Sequence, residues 1–213
     1  MAASSPSPPS RPDSSWVSTP SVVVLAGPNG AGKSSLAPLL LQGVLGVTEF
    51  VNADVIARGL SGFNEEGAAV AAGRVMLARL RDLARQRFSF AFEATLASRS
   101  LAPWIERLKG DGYVFHLVFL WLPNPELAVA RIGERVRMGG HGVPADTVRR
   151  RYRSGLRNFF ALYRPLATTW RLYDNSARVS PRLVAAGEGG GTTVVADSRL
   201  WEEIVQRGHG ASE

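Results

Sequence analysis

The stretch "SVVVLAGPNGAGKSSL" (21–36) constrains the fold more than any other part of the chain. Its first half is a continuous, β-branched apolar run that stops at glycine, the pattern of a strand buried on both faces, and such strands belong to parallel sheets covered by helices. Its second half, "GPNGAGKS" (27–34), satisfies G-x-x-x-x-G-K-[ST] between that strand and a helix expected from about Gly32. Gly27, Gly30 and Gly32 permit positive φ and bring the backbone close to a polyphosphate with no Cβ in the way. Pro28, Asn29 and Ala31 complete the turn, and Ser35 follows in the first helical turn. Lys33 adds a point charge at the β- and γ-phosphates, Ser34 offers a hydroxyl to Mg²⁺, and the helix dipole favours the anion. The expected ligand is a nucleoside triphosphate.

The same alternation continues downstream. "TEFVNAD" (48–54), "FSFAFEATL" (88–96), "YVFHLVFLWL" (113–122) and "RLYDNS" (171–176) read as strands, separated by helical patterns such as "GAAVAAGRVMLARLRDLARQR" (67–87). Strands alternating with helices predict an α/β three-layer sandwich around a mostly parallel sheet. "RLVAAGEGGGTTVVAD" (182–197) differs, with two short apolar runs around a glycine cluster. It predicts a C-terminal β-hairpin, followed by a closing helix over "SRLWEEIVQR" (198–207).

At 213 residues and 45% hydrophobic content the chain supports one core, expected over 21–213. The Ser/Pro-rich opening, residues 1–20, reads as a disordered tail. That opening lacks the pattern of a signal peptide, and no later apolar run reaches the roughly 18 residues of a membrane span. The sequence contains no cysteine, which removes disulfides, thiolate metal sites and cysteine nucleophiles and suits a cytoplasmic protein without a membrane partner. Its net charge of +7 is concentrated: Arg131 to Arg171 holds ten arginines against Glu134 and Asp146. A dense arginine segment inside a nucleotide-binding fold suits a lid over phosphates and argues against general nucleic-acid binding.

That segment, about 131–166, reads as a charged helix, a glycine turn and a long helix. Val148, Tyr152, Leu156, Phe159, Tyr163 and Leu166 form its apolar stripe, while Arg149, Arg153 and Arg157 share another face. His141, between glycines, reads as a substrate contact or as a turn residue. Asp54 ends the second strand, on the edge of a parallel sheet where ligands bind. It fits a general base, a water-mediated magnesium ligand, or the N-cap of the next helix. Glu93, at another strand end, fits a Mg²⁺ or substrate contact, or a solvated surface acid.

Together, "GPNGAGKSS", "FVNADVIARGL", "AAGRVML", "FAFEATL", "RVRMGGHGVPADTVRRRYRSGLRNF" and "LYDNS" resemble the zeta toxin-like P-loop kinases over about Val22 to Ala177. The resemblance implies a P-loop NTPase fold with an arginine-rich helical lid, transfer of the γ-phosphate of ATP to an acceptor hydroxyl with Mg²⁺, and an antitoxin protein as partner. In studied toxins the small-molecule acceptor is the sugar of UDP-N-acetylglucosamine. By motif, Lys33 and Ser34 hold phosphates and Mg²⁺ and Asp54 is the base. Glu93, with Thr95 beside it, contacts acceptor or metal. Arg74 meets an acceptor phosphate, Arg131 or Arg137 the transferring group, and Asn175 lies near the adenine. Ala94 stands where the family usually has a hydroxyl residue.

Other classes are weaker. "GLSGFNE" (59–65) supplies only a fragment of an ABC-type signature, and no guanine reader of N/T-K-x-D type is present. A polynucleotide kinase shares the loop and basic lid, but the aromatics near the lid already lie on its apolar stripe. A non-catalytic ATP-dependent binding module has no need of a base at Asp54.

Overall fold

Val22, Val24 and Ala26 face one helical layer and Val23 and Leu25 the other, and none is more than 1% exposed. That two-sided burial places strand β1 (Ser21–Ala26) at the centre of the protein. The computed structural model describes residues 19–39, 41, 47–61, 65–140, 142–177 and 180–210. Almost all of the tail expected over 1–20 lies outside these residues, and so does His141.

The elements follow as α1 (Lys33–Ala37), β2 (Glu49–Val51), α2 (Ala53–Leu60), α3 (Glu65–Arg85), β3 (Phe90–Ala94), α4 (Ala102–Gly110), β4 (Val114–Trp121), α5 (Pro125–Arg137) and α6 (Ala145–Asn158). After a π-helical turn (Phe159–Tyr163) come α7 (Arg164–Leu166), β5 (Thr169–Asp174), β6 (Arg182–Glu188), β7 (Val194–Val195) and α8 (Ser198–His209). The sheet order is β2-β3-β1-β4-β5-β6-β7, with the first five strands parallel and the last two antiparallel. This is the expected α/β P-loop architecture with an antiparallel C-terminal end.

One layer packs Leu80 and Leu83 of α3, Ile105 of α4 and Ile204 of α8 against Phe90, Phe92 and Phe115. The other packs Ala37 of α1 and Ala128 and Ile132 of α5 against Val23 and Leu25. Helix α6 joins both: Val148 and Tyr152 belong to the second layer, whereas Leu156 and the Phe159, Phe160 and Tyr163 that follow belong to the first.

The expected long helix is therefore not uniform. Its apolar stripe is buried from Val148 to Tyr163, but the α-helical pattern changes at Phe159. Arg164 N–H bonds back to Phe159 O, five residues earlier. Pro165 has no N–H for the regular ladder, and the wider turn lets Phe159, Phe160 and Tyr163 all enter the core.

Candidate active site

The loop between β1 and α1 has the backbone that its glycines foreshadow. Gly27, Gly30 and Gly32 take φ of +139°, +78° and +86°. A Cβ on Gly27 would stand 2.4 Å from Leu120 O and one on Gly30 2.7 Å from Ala128 O, so close packing as well as φ requires glycine there. Lys33 is buried, and its Nζ donates to the carbonyls of Gly27 and Pro28, each at 2.9 Å. Burial lowers its pKa; Glu93 and Asp54 oppose that shift, and Arg135 and Arg151 add to it. Each of these four charged groups thus acts on the loop lysine.

Two strand ends bring the acids to this loop. β2 stops at Val51 and Asn52 caps α2, its Oδ1 accepting from the N–H groups of Asp54 (2.8 Å) and Val55 (3.3 Å). The cap is thus Asn52, and the half-buried side chain of Asp54 in the first turn is not spent on capping. Asn52 Nδ2 donates to Glu93 Oε1 (2.8 Å) and Ser34 Oγ (3.3 Å). Burial pushes the Glu93 pKa up, while Lys33 and hydrogen bonds from Ser34 and Asn52 hold it back.

Lys33, Asp54, Glu93 and Thr95 line one cavity of about 570 Å³. α6 closes it with Arg150 and Arg151, and Arg151 reaches Asn29 Oδ1 of the loop at 3.4 Å. The far wall is the segment after β3. Leu96 holds φ +56°, its carbonyl accepts from Asn158 Nδ2 (2.8 Å), and Tyr163 OH donates to Ser98 O (2.6 Å). Gly155 lets α6 pass this segment, since a Cβ there would stand 2.3 Å from Thr95 O.

A second cleft, of about 310 Å³, lies on the other side of the loop between Gly30, Gly32, Ser35, Arg131 and Asn175. Asn175 Nδ2 donates to Ala31 O (2.7 Å) and Arg131 to Ser176 O (2.8 Å). Arg131 thus lies with Asn175 and apart from the carboxylates. Arg137 is exposed at the end of α5, Arg74 is exposed on α3, and neither lines either cavity. The arginines that share the cavity of the loop lysine are Arg150 and Arg151, and Arg135 also acts on that lysine electrostatically. Sequence reasoning did not single these out, although "RVR" and "RRR" flank the glycine turn.

The residues fit a nucleotide-borne Mg²⁺. Ser34 Oγ and the Glu93 carboxylate adjoin the loop, both hard oxygen donors, and the described residues contain no cluster of three His, Cys, Asp or Glu side chains that would cage a metal alone. Mg²⁺ commonly takes one or two protein oxygens and completes its shell with phosphates and water.

Fold and site define a kinase-like P-loop domain. Residues 22–162 match the AAA domain family AAA_33, and the chain belongs to that family. An uncharacterized protein of Haemophilus influenzae is 31% identical over 137 residues, spanning 64% of this chain and 96% of its own length. Among solved structures, the AvrRxo1-ORF1:AvrRxo1-ORF2 complex with sulphate ions superposes with a TM-score of 0.69 at 18% identity, over 92% of this chain and 66% of that one. The same complex is known with ATP (TM-score 0.66). The PezAT chromosomal toxin-antitoxin system of Streptococcus pneumoniae gives 0.60 at 16% identity, over 91% of this chain and 86% of that one. The likeness to zeta toxin-like proteins holds for the fold. No helix among the described residues is long and apolar enough to cross a membrane.

Proposed function

We propose that this protein is a Mg²⁺·ATP-dependent phosphotransferase that moves the γ-phosphate to a hydroxyl of a small-molecule acceptor, with the sugar of a UDP-activated amino sugar as the first candidate. The observation that carries the reading is the shared cavity: two carboxylates, Asp54 and Glu93, face the lysine of the phosphate loop under the arginines of α6. A binding module needs only the loop. A kinase also needs a base and counter-charges at the transferring group.

In this reading the loop N–H groups and Lys33 hold the β- and γ-phosphates, and the cleft beside Arg131 and Asn175 takes the nucleoside. Ser34, with Glu93 alongside, holds Mg²⁺, which when bound supplies charge neutralisation at the phosphates. Asp54 orients the acceptor hydroxyl and takes its proton as the oxygen–phosphorus bond forms and the bond to ADP breaks. Arg135 and Arg151 compensate the charge on the transferring group; Arg131 and Arg137 are the alternatives named from sequence. Glu93 and Thr95 contact the acceptor, Arg74 and His141 being further candidates. The fold likeness to PezAT and to the AvrRxo1 complex supports adding a protein partner to this reading.

Incubation with γ-labelled ATP and a cell metabolite extract, followed by mass spectrometry of labelled products, tests the reading and identifies the acceptor. Lys33→Ala should abolish transfer. Asp54→Asn keeps one acceptor oxygen but cannot take a proton at neutral pH, so ATP binding should survive while transfer falls by about 10² or more. Unchanged turnover in Asp54→Asn would exclude the base. A fall in ATP affinity of the same size would make Asp54 a metal ligand instead.

A further inference from the structure

We propose that Asn52 is a positioning residue that couples the two sides of the site, one planar amide holding Ser34 on the phosphate side and both Glu93 and the Asp54-bearing turn on the acceptor side. Asn52 is 7% exposed, and both ends of its amide are occupied. The Oδ1 accepts from Asp54 N and Val55 N, and the Nδ2 donates to Glu93 Oε1 and Ser34 Oγ, residues 41 and 18 positions away in sequence. The orientation is fixed by the partners: a flipped amide would face its NH₂ to two N–H donors and its oxygen to a carboxylate.

Capping alone does not account for this residue. Asn, Asp and Ser are near equals as N-caps because the job needs only a side-chain oxygen. The second job needs an N–H donor on the same short side chain, aimed at a carboxylate and a hydroxyl. Asn supplies both; Asp would set a second carboxylate at hydrogen-bond distance from Glu93. Any displacement of Ser34 or Glu93 is therefore passed through one rigid group to the backbone N–H groups of Asp54 and Val55. Phosphate-side contacts and the aim of the proposed base are mechanically linked.

The consequence for turnover rests on the phosphotransferase reading, whereas the linkage does not, and the test separates the two. Asn52→Asp and Asn52→Ser keep the cap oxygen and lose the amide donor; Asn52→Ala loses both. A residue that only caps predicts wild-type behaviour for the first two and a lower Tm for the third. The coupling role predicts kcat reduced about 10- to 100-fold by misalignment in both donor-less variants, with the KM for ATP changed far less. Tm should stay near wild type in Asn52→Ser and fall in Asn52→Asp, whose new carboxylate faces Glu93. Independently of turnover, the side-chain ¹⁵NH₂ resonance of Asn52 should move when Glu93→Gln is introduced and when Mg²⁺·β,γ-imido-ATP is added. A resonance blind to both, or wild-type kcat in both donor-less variants, overturns the proposal. If the wild-type protein transfers phosphate to nothing, the kinase reading fails and the resonance alone decides the linkage.

Discussion

The two ends of the segment that begins with α6 put arginine to opposite uses. At its start Val148 and Tyr152 anchor the helix on the α1/α5 layer, and Arg150 and Arg151 extend into the polar cavity with Lys33, Asp54 and Glu93. Beyond the π-helical turn, Arg164 stands among aromatic rings, its guanidinium 5.5 Å from Phe160, 5.3 Å from Trp170 and 5.9 Å from Trp201. It donates to Gly190 O at 2.5 Å. Its Nε has no hydrogen-bond partner among the described residues, and burial lowers its pKa. Charge count does not separate the two ends. The surroundings do: one set of guanidinium groups faces an open cavity, while the other fastens the C-terminal hairpin to the core.

The largest effect expected breaks the comparison at its polar end. Arg151→Ala should lower transfer by on the order of 10³, as loss of an arginine beside the transferring phosphate does, with Tm unchanged. Arg164→Ala should leave kcat within about twofold of wild type at temperatures where the fold persists. Arg131→Ala and Arg137→Ala belong in the same series. A greater loss at Arg137 than at Arg151 would show that α5, not α6, brings the working guanidinium.

Next in size is the place where α6 crosses the acceptor wall. Gly155→Ala drives a Cβ into Thr95 O, in a segment already held by Asn158 and Tyr163 and carrying left-handed Leu96. Overpacking of this kind costs about 1–3 kcal/mol, readable as a lower urea midpoint with unchanged slope. Because Thr95 lines the cavity, transfer should fall with it. Lost stability with full turnover would mean that the segment yields without moving the site.

Arg164→Met isolates the charge at the aromatic end, since methionine keeps much of the length and apolar contact. The loss should be about 1 kcal/mol, the usual worth of a cation over aromatic faces, seen in Tm and absent from kcat. A fall in kcat at unchanged Tm would overturn the division drawn between the two ends.

What could be read in advance follows from the distance over which each signal acts. The phosphate loop was legible because strand, glycines, lysine and helix start are contiguous, and the apolar stripe of α6 because helical period is local. Asp54 and Glu93 could be brought to one edge because parallel strands share a direction. Asn52 could not: its capping oxygen acts two residues away, but its amide acts on Ser34 and Glu93. In "FVNAD" the cap was expected, if anywhere, at Asp54, and the structure gives that place to Asn52. The arginines illustrate the same limit. Arg149, Arg153 and Arg157 repeat at four-residue steps and look like one working face, yet Arg149 pairs with Glu126 and Asp146 and the cavity takes Arg150 and Arg151. Periodicity shows which residues share a face; only the crossing of α6 from one layer to the other shows what that face meets.

The smallest effect expected concerns two carboxylates at the ends of parallel strands β3 and β5, whose pKa values shift in opposite directions. Burial works against ionisation of Asp174 at the end of β5, but Arg182 (2.8 Å) and the Ser176 N–H (2.8 Å) outweigh it and hold its pKa below the usual carboxylate range. Its contribution to stability is therefore present above the unfolded pKa, near ~3.9, and is lost as pH falls through the lower folded value. Glu93 has the reverse sign. Its folded pKa is raised by burial, so its charge costs stability at neutral pH and the cost disappears on acidification through that raised value. Asp174→Asn should lower Tm at pH 7, and Glu93→Gln should raise it, each by roughly 2–4 °C. Solvent screening keeps the first shift small, because Arg182 is 65% exposed. Thermal scans from pH 8 to pH 3 should show the Glu93→Gln advantage fading first, at the higher pH, and the Asp174→Asn deficit fading only once the pH falls below the unfolded carboxylate pKa of about 3.9. If both differences faded together, the opposite shifts assigned to the two strand ends would be wrong.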